Sequence, residues 1–323
     1  MAFRTIINAI MALVLPMAMT FGAPSSLPTT LYKIGVIQVI EHPALDATCK
    51  GIRDELTQLG FKENLQWSWD SAQGNPVLAT QVTQKFVGQE VNLLIGIGTT
   101  AAQAALSASQ DRKIPVVYAS VTDPKGAKLM GNVTGVSNFI PPKDQFDVIL
   151  KILPAAKKIG VVYNPGEANS ASLLAQMQED SKTKGLEVVT ATASKTSEVT
   201  SAAQSLIGKV NAIFINNDNT ALAAINSIGQ ICRDNKIPLF ASDGNLIESR
   251  ALALLGADQY EIGRQTGRMV AKILRGEAKT SDLPIEYPKN VNVDLNDKVA
   301  ESLGIKIPES LKKTLPEKNG DGT

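Results

Sequence analysis

The chain has 323 residues, of which 44% are hydrophobic and 20% are charged. This composition excludes an intrinsically disordered protein and predicts one large α/β domain or two medium-sized ones. The 32 Lys and Arg residues balance 31 Asp and Glu residues, so the chain lacks the basic excess that binds nucleic acid. One histidine and two cysteines exclude a Cys/His zinc site, and we predict no cofactor.

The first predicted element is an export signal. Arg4 precedes an apolar run over residues 6–21, which is shorter than the roughly 20 residues needed to span a bilayer. We therefore expect a signal peptide over residues 1–22 that is cleaved, and the alternative is a retained membrane anchor. No cysteine lies near the expected cut, so we expect no lipid anchor.

After the signal, short runs rich in Val and Ile alternate with segments of helical period, a pattern typical of parallel βα units. The strands predicted in the first set cover residues 32–40, 65–70, 93–97 and 115–120, and residues 133–139 are expected to be extended. The first helix is predicted from an apolar stripe at spacings of three and four that stops at Gly60. This stripe consists of Leu45, Cys49, Ile52, Leu56 and Leu59.

A second, similar set begins after Pro141 and Pro142. Its predicted strands cover residues 158–163, 186–190, 212–216 and 238–242, and they are followed by a strand at 252–256, a helix at 260–275 and a last strand at 290–295. Two like sets predict an α/β fold of two doubly wound parallel-sheet lobes, joined by crossing hinge strands with a cleft between them.

The same pattern predicts where the chain passes between the lobes. Lobe 1 is expected to consist of residues 31–138 and 258–288, and lobe 2 of residues 139–257 and 289–323. The hinges are expected near Asn138, Asp258 and Lys289.

Ligands of doubly wound sheets lie beyond the carboxyl ends of the strands, where this chain carries many polar side chains. Such side chains hydrogen-bond a small polar ligand, although each of them alone is also a common helix cap or turn former. The candidate ligand-binding residues are Gln38, Thr99, Thr100, Ser120 and Thr122 in lobe 1 and Asn169, Asp218, Asn219 and Asp243 in lobe 2.

Residues 96–101 read Gly-x-Gly-x-x-Ala, a form of the dinucleotide-binding fingerprint. The motif follows the third strand instead of the first, and no ribose-binding acid stands at a strand end about twenty residues later. We predict instead that this helix start, with Thr99 and Thr100, holds a carboxylate. Asp218 and Asp243 would hold a cation from the other lobe, so that an amino acid would bridge the cleft.

Five further residues give weaker indications of a structural or functional role. We interpret His42 as a capping or wall residue at a helix start. Trp67 and Trp69 share one face of a strand; we predict that they pack under a helix, and the alternative is stacking on a ligand. Cys49 and Cys232 lie on apolar helix stripes in different lobes, so we predict two buried thiols and no disulfide.

Taken together, these motifs resemble the substrate-binding proteins of ABC importers with a type I periplasmic-binding fold, and most closely the branch associated with tryptophan and other aromatic amino acids. The resemblance covers residues 32–308. It rests on Lys33-Ile34-Gly35-Val36, His42-Pro43-Ala44-Leu45-Asp46, Thr122-Asp123-Pro124, Asn132-Val133-Thr134-Gly135-Val136, Ile159-Gly160-Val161-Val162-Tyr163-Asn164-Pro165 and Asp218-Asn219.

The resemblance implies a monomeric receptor in the periplasm. It would close on a small ligand and deliver it to an ABC permease in the inner membrane, without being an enzyme. Two alternatives stay open at this point, a nucleotide-using enzyme and an extracytoplasmic ligand sensor for a signalling partner, because a site at a sheet edge serves all three functions. A sugar is the alternative ligand.

Overall fold

The computed structural model describes residues 30–244, 246–288 and 292–312. The expected signal peptide at residues 1–22 and the expected hinge at Lys289 lie outside these ranges, as do residues 313–323 at the end of the chain. The described residues form two parallel-sheet α/β lobes, which confirms the fold class predicted from the alternating sequence pattern.

The sheet of lobe 1 contains five parallel strands. They are β1 (Tyr32–Gln38), β2 (Leu65–Ser71), β3 (Leu93–Ile97), β4 (Val116–Ala119) and β5 (Val133–Val136). Their order across the sheet is β2-β1-β3-β4-β5. Every residue of β3 and β4 is buried, as expected for central strands covered by helices on both faces. The extended segment predicted at residues 133–139 thus supplies the fifth strand.

Four helices cover this sheet: α1 (Pro43–Leu56), α2 (Pro76–Gly88), α3 (Thr99–Ser109) and, much later in the chain, α9 (Gln259–Leu274). The regular part of α1 ends at Leu56 and continues into a wider π-type turn, Thr57–Phe61. Gly60 lies in this turn with φ +90°, a left-handed conformation that glycine adopts without strain. The predicted helix stop at Gly60 therefore falls at the last turn.

Helices α1 and α9 pack against each other through glycines. A Cβ atom on Gly51 of α1 would lie 2.2 Å from the carbonyl oxygen of Tyr260, and one on Gly263 of α9 would lie 2.2 Å from that of Thr48. These two positions therefore allow the backbones to come close together, and they fix α9 to lobe 1 after the chain has left lobe 2.

The sheet of lobe 2 contains six strands in the order β11-β10-β9-β8-β6-β7. They are β6 (Lys158–Tyr163), β7 (Glu187–Thr192), β8 (Ala212–Ile215), β9 (Leu239–Ala241), β10 (Ala253–Gly256) and β11 (Asn292–Leu295). All neighbours pair in parallel except β10 and β11, which are antiparallel. The last strand is thus an antiparallel addition to an otherwise parallel sheet.

The helices of lobe 2 are α4 (Pro142–Ile152), α5 (Ala168–Thr183), α6 (Thr196–Ser205), α7 (Asn219–Ala223), α8 (Ile225–Asp234), α10 (Asp297–Leu303) and α11 (Glu309–Lys312). None of the helices in the described part of the chain is long and apolar enough to cross a membrane.

The chain passes from one sheet to the other through residues 137–141 and returns through residues 257–258. Both segments are irregular and neither is a β-strand, so the expectation of crossing strands is wrong for these two connections. After this return the chain stays beside lobe 1 as far as Glu286, which forms a parallel bridge with Val136 at the edge of the sheet.

Two predictions about single side chains need correction. Trp67 is half-buried against the core of lobe 1, but Trp69 is 40% exposed, and its Nε1 donates a hydrogen bond to Oε1 of Gln38 at 3.3 Å. Trp69 therefore does not pack under a helix; it stands on β2, which has a neighbouring strand on one side only. Both cysteines are unpaired, and Cys232 is buried as predicted, whereas Cys49 is only half-buried.

Candidate ligand-binding site

A cavity lies between the two lobes, at the carboxyl ends of the strands. Its empty volume, including the space that opens to solvent, is about 310 Å³. The cavity is lined by His42, Ala44, Leu45, Thr99, Ser120, Thr122, Asn138 and Gln259 on one side and by Asn169, Asn217, Asn219, Leu222 and Asp243 on the other.

The structure brings most of the predicted site residues together. Six of them line the cavity: Thr99, Ser120, Thr122, Asn169, Asn219 and Asp243. The other three, Gln38, Thr100 and Asp218, are not part of its lining.

Gln38 and Thr100 lie close to the site without lining it. The Gln38 Nε2 atom donates hydrogen bonds to Oδ1 of Asp46 at 2.7 Å and to the carbonyl oxygen of Ile40 at 3.0 Å. The side chain of Gln38 thus ties the end of β1 to the first turn of α1. Thr100 is half-buried in the first turn of α3, next to Thr99, which does line the cavity.

Asp218 is a helix cap instead of a ligand partner. Its carboxylate accepts hydrogen bonds from the backbone N–H of Ala221 at 2.7 Å, the backbone N–H of Asn164 at 2.6 Å and the hydroxyl of Ser170 at 2.5 Å. Burial and the neighbouring carboxylate of Glu167 raise its pKa. Its carboxylate thus accepts three hydrogen bonds inside lobe 2 and does not line the cavity, so the structure does not support the predicted pairing of Asp218 with a ligand cation.

The lobe 1 wall presents hydroxyl groups and a helix start. Gly98 precedes α3 with φ +87°, and the first N–H groups of the helix have no partners one turn earlier. Thr122 donates from Oγ1 to Oδ1 of Asn138 at 2.9 Å, and Ser120 donates from Oγ to Oε1 of Gln259 at 2.7 Å. The hydrogens of both hydroxyls are thus donated within lobe 1, and it is the start of α3 that can bind an anionic group without a cationic side chain.

The lobe 2 wall is organised by Glu167, which is buried. Its carboxylate accepts from Nδ2 of Asn219 at 2.7 Å and from the hydroxyl of Thr220 at 2.7 Å. Asn169 in turn donates from Nδ2 to the carbonyl oxygen of Asn217 at 2.7 Å. These bonds fix the two amide groups so that the Oδ1 atom of Asn169 is left as an acceptor.

Three buried polar atoms of the lining have no hydrogen-bond partner among the described residues. They are Nε2 of His42, Oδ1 of Asn169 and Oδ2 of Asp243. Buried polar atoms are paired in more than about 90% of cases, so unpaired atoms from both lobes mark a place for a polar ligand.

Burial also sets the protonation of two of these groups. It raises the pKa of Asp243 to about 7, to which the nearby carboxylates of Asp258 and Asp294 add. It lowers the pKa of His42 to about 4, so this imidazole is neutral at physiological pH. A ligand cation beside Asp243 would favour the ionised carboxylate.

Several lining residues were not among the predicted set. Asn217 directly precedes the predicted Asp218, so the same strand-end signal could have found it. Asn138 was predicted only as a hinge. Gln259 lies at the start of α9. The sequence predicts that this segment returns to lobe 1, but it does not predict that the segment contacts the cavity. His42 does form part of the wall, as one of its two interpretations held.

The lobes also contact each other directly. Oγ of Ser172 on α5 donates to Oδ2 of Asp123 in lobe 1 at 2.6 Å, and Nδ2 of Asn217 donates to the carbonyl oxygen of Asn138 at 3.3 Å. The cleft is therefore closed in this structure. Among the residues it describes, no three His, Cys, Asp or Glu side chains come together to hold a metal ion.

Comparison with known proteins assigns this arrangement to a family. The sequence model of the ABC transporter substrate binding protein family matches residues 33–318. The chain is 32% identical over 279 residues to a protein named tyrosine-binding protein from Clostridioides difficile strain R20291, which covers 84% of this chain and 80% of that protein. More distant solute-binding proteins with 15–18% identity share the fold, which is of the type I periplasmic-binding class.

Two solved structures are informative about the state of the cleft. An ABC domain from Streptococcus pneumoniae in complex with L-Trp is 34% identical, covers 88% of this chain and 98% of that one, and superposes with a TM-score of 0.84. A ligand-free, open structure of a substrate-binding protein with adhesive properties from Clostridium difficile is 33% identical, covers 86% and 96%, and superposes with a TM-score of 0.66. At nearly equal identity, the present structure is closer to the liganded one.

Proposed function

The chain belongs to the ABC transporter substrate-binding protein family, and on this basis we propose that it is the extracytoplasmic receptor of an ABC importer that captures an aromatic amino acid between its lobes. The observation that carries the proposal is the inter-lobe cavity, in which both lobes leave buried polar atoms unpaired beside an apolar surface. The names of the tyrosine-binding relative and of the L-Trp complex support the same ligand class.

The two charges of an amino acid fit different parts of the cavity. Oδ2 of Asp243 and Oδ1 of Asn169 are acceptors without a hydrogen-bond partner among the described residues, and together they suit the ligand ammonium. The start of α3 with Thr99 suits the ligand carboxylate. A zwitterion would thereby connect lobe 1 to lobe 2.

The side chain of the ligand has an apolar place to lie. Ala44 and Leu45 from α1 and Leu222 from α7 line the cavity, and all three are buried. Enclosing an aromatic ring against such surface is worth roughly 25 cal/mol per Å² of apolar area removed from water. We therefore expect micromolar or tighter binding, on the order of −8 kcal/mol.

Ligand binding would be communicated to a partner protein by closure of the two lobes. A ligand that contacts both lobes stabilises the closed state by interactions that the open state cannot make, and only that difference shifts the population. The irregular crossings at residues 137–141 and 257–258, with the expected third crossing at Lys289, are the proposed hinges. The closed receptor would then be presented to an ABC permease, after export directed by residues 1–22.

Isothermal titration calorimetry with L-tryptophan, L-tyrosine and L-phenylalanine tests the ligand class, with a panel of sugars as the comparison. Heat from the amino acids alone is the expected result. Heat from the sugars alone would show that the ligand is a sugar, and the proposed role as a receptor would still stand. Recovery of a chemically altered ligand by mass spectrometry would instead favour the alternative of an enzyme.

A further inference from the structure

His42 is the single histidine of the chain, and its position in the cavity gives it a role beyond that of a wall. It stands at the N-cap position of α1, yet its side chain makes no capping hydrogen bond. The residue is 8% exposed and lines the cavity two and three residues before the apolar Ala44 and Leu45. His42 and these two apolar side chains therefore line the same cavity.

The hydrogen bonding of the imidazole is set from lobe 2. The amide of Asn219 is held by Glu167, because its Nδ2 donates to Oε2 at 2.7 Å and its backbone N–H donates to the same oxygen at 3.0 Å. This leaves Oδ1 of Asn219 as an acceptor, and the Asn219 side chain lies within hydrogen-bonding reach of the His42 ring. We therefore assign the hydrogen of the neutral ring to the nitrogen that faces Asn219, and not to Nε2, which has no partner among the described residues.

A neutral imidazole that donates from one nitrogen presents a lone pair on the other. The ring of His42 is neutral because burial lowers its pKa to about 4. The carboxylates of Asp46 and Glu167 act against this shift by their charge, and Nε2 has no hydrogen-bond partner among the described residues. The cavity therefore contains a buried, neutral acceptor next to apolar side chains.

We propose that His42 determines specificity, by accepting a hydrogen bond from a donor on the aromatic ring of the ligand. The chemical class selected is an aromatic amino acid with a ring N–H or O–H, such as an indole or a phenol, in preference to a plain phenyl ring. The inference rests on the proposed function and refines it. The ligand ammonium does not need this acceptor, because Asp243 and Asn169 already supply two.

The expected size of the preference follows from the buried acceptor. A ligand without a ring donor would leave the imidazole lone pair unpaired after the cleft has closed, which reduces affinity by roughly tenfold to hundredfold. A ligand with an N–H or O–H on its ring would donate a hydrogen bond to this lone pair. Pairs of ligands that differ in this one hydrogen-bond donor therefore isolate the effect.

The test is calorimetry on the intact exported protein with two such pairs. These are L-tyrosine against L-phenylalanine, and L-tryptophan against its sulfur isostere 3-benzothienyl-L-alanine. We expect the first member of each pair to bind at least tenfold more tightly. His42→Leu should bring each ratio close to one while phenylalanine still binds. His42→Gln, whose side-chain oxygen can accept, should keep part of the preference.

The control is Glu41→Ala, a change of the exposed neighbouring residue that should leave both ratios as in the unmodified protein. Equal affinity within each pair for the unmodified protein would overturn the inference and leave the proposed function standing. An equal loss for all four ligands in His42→Leu would place His42 at the amino-acid head group and would also overturn it. If none of the four ligands binds the unmodified protein, the proposed function fails and this inference fails with it.

Discussion

The hydroxyl of Ser172 in lobe 2 donates to the carboxylate of Asp123 in lobe 1 at 2.6 Å, from one lobe to the other. Neither residue lines the ligand cavity. The other carboxylate oxygen of Asp123 accepts from the backbone N–H of Gly126 at 2.8 Å, so the acceptor is fixed within its own loop. The bond therefore joins the lobes without taking part in ligand recognition.

The first prediction is that Ser172→Ala weakens ligand binding although it removes no ligand contact. A hydrogen bond to a charged group contributes about 1.5–3 kcal/mol, and partial exposure of both side chains places this one near the lower end. Since the bond exists only when the lobes are together, its loss should lower affinity about tenfold and appear as faster dissociation.

Surface plasmon resonance would separate the two rate constants for this variant. Ser181→Ala is the matched control on the same helix, because its hydroxyl bonds to the carbonyl oxygen of Gln178 within α5. Equal dissociation rates in Ser172→Ala and the parent protein would show that the bond does not stabilise closure.

The second prediction concerns Asp243, whose Oδ2 atom is buried and unpaired among the described residues. Asp243→Asn keeps the shape of the side chain but removes the negative charge beside the ligand ammonium. Binding should weaken by roughly 2–5 kcal/mol, the range for losing one partner of a desolvated charge pair. Calorimetry measures this loss, and unchanged affinity would remove Asp243 from the site.

The third prediction separates Asp218 from Asp243. Because the Asp218 carboxylate caps α7 and binds Ser170 and Asn164, Asp218→Ala should destabilise lobe 2. A lost cap alone costs about 0.5–2 kcal/mol, and the buried donors left unpaired add to this. Thermal unfolding should show a lower midpoint. A variant with the stability of the parent but weakened binding would return Asp218 to the ligand site.

Much of the fold could be predicted from the sequence because buried parallel strands read as short Val- and Ile-rich runs whatever their partners. The strand ends also point to one edge of a sheet, which is why Thr99, Ser120 and Asn169 were found. The strand-end rule does not resolve which neighbouring side chain faces the cavity. Asp218 and Asn217 are adjacent, and only the hydrogen bonds of Asp218 show that it is used internally.

Other features depend on contacts between distant parts of the chain. Gln259 reaches the site because α9 is fixed to α1, and its Oε1 accepts from Ser120, 139 residues earlier. No local pattern contains such a contact. The exposure of Trp69 likewise depends on β2 being an edge strand. The order of the strands in the sheet determines this position, and the alternation of residues within β2 does not reveal it.

The fourth prediction tests the glycine contact that holds α9 to lobe 1. Gly51→Ala would place a methyl group 2.2 Å from the carbonyl oxygen of Tyr260, so the two helices would have to move apart. Overpacking of this kind costs about 1–3 kcal/mol, and the displaced α9 carries Gln259 away from the cavity. Both the unfolding midpoint and ligand affinity should fall.

Gly88→Ala is the control for this substitution. Gly88 is the last residue of α2, and no atom lies within 4 Å of the position that its Cβ would take. The change should be neutral or stabilise the protein by up to about 1 kcal/mol, since alanine restricts the unfolded chain. Equal unfolding midpoints for Gly51→Ala and Gly88→Ala would contradict the close contact.

The last prediction is a pH dependence of affinity that follows from Asp243. Burial raises the pKa of this carboxyl to about 7 in the closed, ligand-free cavity, whereas a bound ammonium would favour the ionised form and lower that pKa. Ligand binding therefore releases a proton below pH 7. Affinity should be constant above about pH 8 and should fall by up to tenfold per unit as the pH decreases through 7.

Calorimetry from pH 5.5 to 8.5, in buffers of different ionisation enthalpy, measures both the affinity and the released proton. His42 does not interfere, because its pKa of about 4 lies below this range. Asp243→Asn should bind weakly and with an affinity independent of pH over the same interval. If that variant kept the full pH dependence of the parent, the titrating group would have to be another carboxyl, and the assignment of the ligand ammonium to Asp243 would be wrong.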